Sequence, residues 1–275
     1  MTEQKSLQPN NEEQVLNITL REKLIALSIW KNGDWDHIYW FLKDDPTLER
    51  LDEEKVAKII QRLSCDVMTL IDDDYPHNWR EMSKPPFVLY LQGNRQQLTT
   101  PILGIIGCKN PNQSTKKMTL RLATQLPDDM AVINGLEIGT ETLALEAAHH
   151  KIAILASGFK NNNFYQNNTA HTSLTESDLQ LSERPPHAKF DLQTYYRSYH
   201  LIYELSDVIC VFEMPKSDIR LKYLRFLTEI GKPVFVLPAQ RTNKTAGGLQ
   251  LLNHGANCLL EAKDILKALN ESRRP

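Results

Sequence analysis

The sequence of 275 residues lacks the short motifs that mark the common enzyme classes. It contains no G-x-S-x-G nucleophile elbow, no H-E-x-x-H zinc motif and no G-x-G-x-x-G dinucleotide fingerprint. The adjacent His149 and His150 cannot share the helical face that metal ligation at i and i+4 requires. These absences argue against hydrolase, zinc-enzyme and dehydrogenase chemistry. We therefore expect a protein that is not an enzyme and holds no metal and no cofactor.

Cysteines and long apolar runs are also scarce. The chain has four scattered cysteines and no C-x-x-C pair, which favours a reduced, cytoplasmic compartment. No apolar run approaches the roughly 20 residues of a membrane helix. The opening residues are polar and have no apolar core, so we expect neither a signal peptide nor a membrane partner.

Neither sign of charge dominates the chain. Its 32 Lys and Arg face 34 Asp and Glu, which gives a formal net charge of −2. Residues 1–100 carry 12 basic and 17 acidic residues, whereas the remainder carries 20 and 17. The C-terminal part can therefore meet an anion, but it is not a polycation.

The stretch from residue 101 to residue 158 alternates apolar runs with polar segments of helical spacing. The runs ILGIIG, MAVIN and IAILASG are bounded by Gly or Asn, which suits strands buried on both faces of a parallel sheet. The alternation continues as helix 195–205, strand 207–212, helix 219–230, strand 233–237, helix 247–253, strand 256–260 and helix 263–270. This order predicts an α/β fold with a doubly wound, mostly parallel Rossmann-like sheet, whose ligands bind at the carboxyl ends of the strands.

Composition divides the chain into four parts: a disordered N-terminus over 1–16, a small N-terminal helical domain over 17–70, a linker and edge strand over 71–100, and the Rossmann-like domain over 101–275. Gly33 and Pro46 interrupt the helical periodicity of the second part. We expect its large aromatic residues to form its core: Trp30, Trp35, Trp40 and Phe41.

The linker contains a more specific string. Tyr75-Pro76, Trp79, Pro85-Pro86, Leu89-Tyr90 and Gly93-Asn94 fill the places of the segment D-x-x-Y-P-x-x-L-x-x-i-x-x-P-P-x-v-L-y-x-x-G-n, which precedes the Rossmann core in the DprA/Smf family of DNA-processing proteins. Seven further matches follow in order: IIGCK (105–109), NGLEIGTE (134–141), IAILASGF (152–159), LSERPP (181–186), VICVFE (208–213), GKPVFVLPA (231–239) and TAGGLQLLNHGANCL (245–259). The chain therefore resembles this family over about its last two hundred residues.

The resemblance implies a function and partners. Proteins of this family bind single-stranded DNA, protect incoming strands during natural transformation and load the RecA recombinase onto them. The resemblance also implies a homodimer formed through the Rossmann domain.

The chain departs from the family pattern where the family concentrates positive charge. Lys109 and Ile138 each replace an arginine, and Glu141 replaces an aspartate. Arg197 is displaced by one position, and residues 218–220 replace a Ser-Gly-Ser turn. Because lysine lacks the bidentate fork of arginine and the turn loses its small residues, these changes weaken the expected phosphate pocket.

Binding chemistry nevertheless has candidates. Lys109 lies in a loop that leads to a helix N-terminus, where N–H groups and an ammonium group attract phosphate. Interleaved aromatic rings can stack on unpaired bases, at roughly 1–3 kcal/mol each: Phe159, Phe164, Tyr165, Phe190, Tyr195, Tyr196 and Tyr199. The candidate nucleic-acid-binding residues, whose cations we expect to converge on one trough, are Gly107, Lys109, Gly135, Lys160, Lys189, Arg197, His200, Lys216, Arg220 and Lys244.

Two alternatives stay open on the sequence alone. Nucleotide-monophosphate phosphoribohydrolases share the Rossmann variant, and their P-G-G-x-G-T-x-x-E motif has a partial counterpart over residues 137–140. Leu143 occupies the place of the motif's carboxylate, which leaves a SLOG-type nucleotide-binding protein or phosphoribohydrolase as the weaker alternative. The other alternative is a degenerate DprA paralogue with weakened DNA binding.

Overall fold

The computed structural model describes residues 18–161 and 174–272. The helices in these ranges are α1 (Leu20–Trp30), α2 (Trp35–Asp44), α3 (Glu53–Gln61), α4 (His77–Arg80), α5 (Gln113–Thr124), α6 (Thr140–Ala147), α7 (Leu192–Leu205), α8 (Leu221–Glu229), α9 (Ala246–Asn253) and α10 (Ala262–Ser272). The strands are β1 (Asp66–Thr69), β2 (Val88–Gly93), β3 (Ile102–Ile106), β4 (Ala131–Asn134), β5 (His150–Leu155), β6 (Leu179–Ser182), β7 (Val208–Val211), β8 (Val234–Val236) and β9 (Asn257–Cys258). The predicted disordered segment, residues 1–16, lies outside the described residues.

The strands form one sheet in the order β1-β2-β6-β5-β4-β3-β7-β8-β9. Every neighbouring pair from β6 to β9 is parallel, whereas β2 pairs antiparallel with both β1 and β6. This order confirms the predicted α/β fold with a mostly parallel sheet. Strand β3 has β4 on one side and β7 on the other, so the strand order reverses there. Ligands of α/β sheets bind at such a switch point.

The central strands are buried on both faces, as their unbroken apolar runs predict. Every residue of β3, β4 and β7 is buried. Successive side chains of a strand alternate between its faces. Ile102 and Ile106 accordingly join one apolar cluster, and Leu103 and Ile105 join another. Helices therefore cover both faces, which leaves the strand ends as the place for polar chemistry.

The N-terminal helices pack on the antiparallel end of the sheet. Asp34 caps α2 and Asp52 caps α3, each by accepting an N–H from the first turn. The apolar cluster of these helices includes Val67 of β1 and Tyr90 of β2. Helices thus occur in the part predicted to be helical, but residues 66–69 of that part form β1, and the helices share a core with the sheet. The division of the chain into domains stays a prediction.

Two details of this region were predicted wrongly. The edge strand predicted within residues 71–100 corresponds to β2, which is not at the edge, because β1 pairs with its outer side. Trp30 and Trp40 are 41% and 60% exposed and lie outside the core, whereas Trp35 and Phe41 are half-buried. The inward face of α2 is centred on Ile38, which is 2% exposed, so Trp40 points away from the sheet.

A glycine holds the α1–α2 turn against the loop after β6. Gly33 has a φ of +68°, and a Cβ placed there would lie 2.4 Å from the carbonyl oxygen of Glu183 and 3.0 Å from Cδ of Pro185. Only glycine combines this left-handed backbone with so close an approach. The helices are therefore docked on the loop that follows β6.

Candidate functional site

The loops after β3 and β4 meet at the carboxyl edge of the sheet through two glycines. A Cβ on Gly107 would lie 2.5 Å from the Thr140 side chain. Gly139 has a φ of +106°, and a Cβ there would lie 2.3 Å from the carbonyl oxygen of Lys109. The Thr140 N–H donates to the carbonyl oxygen of Cys108 at 3.1 Å. The two loops therefore form one surface at the switch point of the sheet.

A buried arginine joins this surface from the loop after β7. Arg220 Nη1 lies 3.2 Å from Glu137 Oε2 and 3.1 Å from Glu141 Oε1. Its Nη2 donates to Asp218 Oδ2 at 2.8 Å and to the Gly107 carbonyl oxygen at 3.0 Å. Three carboxylates thus surround one guanidinium. We call the following residues the edge cluster: Gly107, Lys109, Gly135, Glu137, Glu141, Tyr195, Tyr199, Asp218 and Arg220.

Glu141 is the most deeply buried carboxyl group of the edge cluster, with 1% of its surface exposed. It accepts hydrogen bonds from the Gly135 N–H at 3.0 Å and from the Tyr199 hydroxyl at 2.9 Å. Burial raises the pKa of Glu141 to about 7, because the charged form loses its hydration. Arg220 opposes this rise in pKa and Glu137 adds to it.

The raised pKa of Glu141 predicts a pH dependence of stability. The folded protein holds a proton on Glu141 up to about pH 7, whereas the unfolded chain releases it near the ordinary value of 4.5. The contribution of Glu141 to the free energy of unfolding is therefore complete below pH 4.5 and is lost as the pH rises through 7. Urea unfolding should show the wild type losing about 2 kcal/mol more than Glu141→Gln between pH 5 and pH 7. Parallel pH profiles for the two proteins would contradict this assignment.

Lys109 lies at the exposed rim of the edge cluster. Its side chain is 66% exposed, and Nζ lies 3.6 Å from Glu137 Oε1. The Tyr195 hydroxyl donates to the same carboxylate oxygen at 2.9 Å. Lys244, beyond β8, donates from Nζ to the Asn110 carbonyl oxygen at 3.0 Å. A cleft of about 460 Å³ beside these residues is lined by Asn112, Glu213, Lys244 and the loop 239–245.

Two predicted site residues lie apart from the edge cluster, on α7. Arg197 Nε donates to Glu183 Oε2 at 2.8 Å, and both side chains are largely buried. His200 stacks on Tyr223 at 4.1 Å between ring centroids, and burial lowers its pKa. Arg197 and His200 face a cavity of about 520 Å³ that the α1–α2 turn closes on its other side.

The remaining predicted cations lie elsewhere on the surface. Lys160 follows β5, and Lys189 precedes α7. Lys216 borders clefts beside α8 and α9. The ten candidates therefore do not form a single trough. Gly107, Lys109, Gly135 and Arg220 come together in the edge cluster, Lys244 lies beside it, and the other five do not. Their role in binding nucleic acid stays a prediction.

Several candidate aromatic rings are not free to stack on bases. Tyr199 is 1% exposed, and Phe159 packs against two apolar clusters. Phe190 and Tyr196 are half-buried near Tyr195. Phe164 and Tyr165 lie outside the described residues.

The sequence marks Glu141 only as the replacement of an aspartate, and it does not predict that Glu141 and Glu137 pair with Arg220. The string NGLEIGTE was the available signal. It does not indicate a partner that lies 79 residues further along the chain.

Within residues 18–161 and 174–272, no helix is long and apolar enough to cross a membrane. The same ranges contain no group of three or more His, Cys, Asp or Glu side chains placed to hold a metal ion.

Comparison with known proteins gives consistent matches. The sequence profile of the family described as DNA recombination-mediator protein A matches residues 66–270. The chain is 23% identical over 263 residues to protein Smf of Borreliella burgdorferi, covering 89% of this chain and 83% of that protein. It is 23% identical over 227 residues to DNA processing protein DprA of Streptococcus pneumoniae, covering 79% and 78%.

Solved structures show the same likeness of fold. The crystal structure of DprA from S. pneumoniae superposes with a TM-score of 0.71 at 21% identity, over 92% of this chain and 94% of that one. DNA processing protein A from Helicobacter pylori, whose single-stranded DNA binding mode has been described, gives a TM-score of 0.66 at 24% identity, over 76% and 98%.

Proposed function

Because the chain belongs to the DNA recombination-mediator protein A family, which comprises the DprA/Smf DNA-processing proteins, we propose that it binds single-stranded DNA at the carboxyl edge of its sheet. We further propose that it protects incoming strands during natural transformation and loads RecA onto them. In this proposal it acts in the cytoplasm as a homodimer and without catalysis.

The observation that carries the proposal is the meeting of cations from three separate loops at the switch point of the sheet. Lys109 follows β3, Arg220 follows β7, and Lys244 follows β8. Lys109 lies near the carboxylate of Glu137. Arg220 and Lys244 each donate a hydrogen bond to a carbonyl oxygen of the loop after β3. Helices α5 and α6 also begin at this edge, so their first N–H groups add positive potential for a phosphate.

Lys109 offers the clean test of this site, because its side chain is exposed and has one distant ion pair. Lys109→Ala should weaken binding of fluorescent oligo-dT and lower the slope of log K against log salt by about 0.7, the value of one phosphate contact on a single strand. The measurement is fluorescence anisotropy at several salt concentrations. Arg197→Ala is unsuitable, because it breaks a largely buried ion pair with Glu183.

The matched control is Lys263→Ala, which removes another exposed, ion-paired lysine, on α10. The control should bind as the wild type does. Binding with an unchanged salt slope in Lys109→Ala would move the site elsewhere. If the wild type binds no oligonucleotide, the DNA proposal fails.

One observation favours a second candidate, a DprA paralogue with weakened DNA binding. Lys109, Arg197 and Arg220 all have carboxylate partners, so a phosphate must compete with Glu137, Glu183 or Asp218. This candidate predicts that the protein captures RecA in a pull-down without DNA and has little affinity for oligo-dT. DNA binding that depends on Lys109 would exclude it.

A further inference from the structure

A second group of cations lies where the N-terminal helices meet the loop after β6. A groove of about 310 Å³ opens there between α1, the end of α3 and residues 185–188. We call it the helix-side groove. Its apolar floor includes Ile29, Leu63 and Pro186, and its rim carries Arg62, Lys160 and His187.

The charge of this groove differs from that of the edge cluster. None of its described lining residues is acidic. Arg62 and Lys160 are exposed, and neither has an ion pair within the part of the chain that the structure describes. An anion bound here therefore has no carboxylate to displace. The guanidinium of Arg220, by contrast, already contacts three carboxylates, with which an anion must compete. The groove is complementary to a polyanion.

The position of the groove links it to the edge cluster. The Lys160 N–H donates to the Pro186 carbonyl oxygen at 2.8 Å, which ties the loop after β5 to the loop after β6. Strands β4, β5 and β6 are parallel neighbours, so their following loops share one edge of the sheet. Three strand spacings, about 14 Å, separate β6 from β3, the strand that Lys109 follows. A single extended strand can therefore reach both places.

We propose that the helix-side groove binds nucleotides of the same DNA strand that the edge cluster holds, so that the N-terminal helices extend the DNA site. This inference rests on the proposed function. The guanidinium of Arg62 and the ammonium of Lys160 bind backbone phosphates, and an unpaired base lies on the apolar floor. The volume is at the low end of the roughly 300–1,000 Å³ of small-ligand clefts, which suits one nucleotide. In a duplex the bases are stacked and paired, so they cannot reach such a floor.

The test compares a short oligo-dT of about six nucleotides with a long one of about twenty. The variant is the double substitution Arg62→Ala/Lys160→Ala, both at exposed positions. It should bind the short oligonucleotide as the wild type does. For the long one its slope of log K against log salt should fall by about 1.4, which corresponds to two phosphate contacts.

Two further variants complete the design. Arg62→Lys/Lys160→Arg keeps both charges and should retain the affinity for the long oligonucleotide. Lys222→Ala/Lys263→Ala removes two exposed lysines on α8 and α10. If it lowers the slope of log K against log salt at all, it should do so no more for the long oligonucleotide than for the short one. Thermal unfolding of each variant reports whether it is folded.

The outcomes separate the inference from the proposed function. If the wild type binds both oligonucleotides and Arg62→Ala/Lys160→Ala does too, with unchanged slopes, DNA does not occupy the groove and the inference is overturned alone. Capture of an acidic peptide at the groove in that case would identify a protein ligand instead. If the wild type binds neither oligonucleotide, the proposed function fails together with the inference.

Discussion

Arg220→Met is expected to lower the free energy of unfolding by about 3–5 kcal/mol, because it removes the cation from a buried cluster and leaves its carboxylates uncompensated. Arg220 is 7% exposed, and Glu137, Glu141 and Asp218 all lie within 3.2 Å of its guanidinium nitrogens. Methionine fills similar space but offers no charge and no donor. Urea unfolding at pH 8, where Glu141 is ionised, measures the loss.

The control for this prediction is Arg225→Met in α8, the helix that begins directly after Arg220. Arg225 pairs with Glu229 at 3.0 Å, and both side chains are about half exposed. An exposed pair of this kind contributes little, so the loss should stay below about 0.5 kcal/mol. The cost of Arg220→Met should also be smaller at pH 5, where Glu141 carries a proton. Equal losses for the two variants, or no change with pH, would contradict the account of the edge cluster.

Gly139→Ala is expected to cost about 2–6 kcal/mol, which combines backbone strain with overlap between loops. The φ of +106° at Gly139 disfavours any residue with a Cβ. The added Cβ would lie 2.3 Å from the Lys109 carbonyl oxygen and 2.4 Å from that of Cys108, and backbone atoms cannot simply rotate away. The loops after β3 and β4 must then separate. Thermal or urea unfolding measures the cost.

Gly231→Ala separates the cost of backbone strain from the cost of overlap between the loops. Gly231 has a φ of +87°, but a Cβ there would meet nothing within 4 Å. Its substitution should therefore cost only the strain of a left-handed residue, about 1–2 kcal/mol. The difference between the two variants then measures the overlap at the edge of the sheet. A similar cost for both would mean that the two loops are not held in contact by Gly139.

The predictions for Arg220→Met and Gly139→Ala both test the contact between the loops after β3 and β4. Gly139 lets the loops after β3 and β4 approach, and Arg220 joins both loops by contacting Gly107 and Glu137. The rim around them, including Lys109, depends on this contact for its position. A stable edge of the sheet is therefore the structural condition for any ligand that binds there.

The sequence by itself predicted the central parallel strands, but it did not predict β1, β6 or the order of the strands in the sheet. The runs ILGIIG, MAVIN and IAILASG are local patterns, and burial on both faces requires such runs. α6 begins at Thr140, and the residues before it form a turn with positive φ at Leu136 and Gly139. Apolar periodicity carries no signal for such a turn.

Only the tertiary structure decided which charges are available. The sequence grouped Lys109, Arg197 and Arg220 with Lys160 as equal cations, because all of them occur in loops or helices near the carboxyl edge. In the fold, the first three have carboxylate partners, and Lys160 lies beside Arg62 in a groove without any among the described residues. Strand and helix formation depends on near neighbours in the chain, which a sequence displays directly. Charge pairing depends on which distant loops the packing brings within about 4 Å, and no local pattern records that distance.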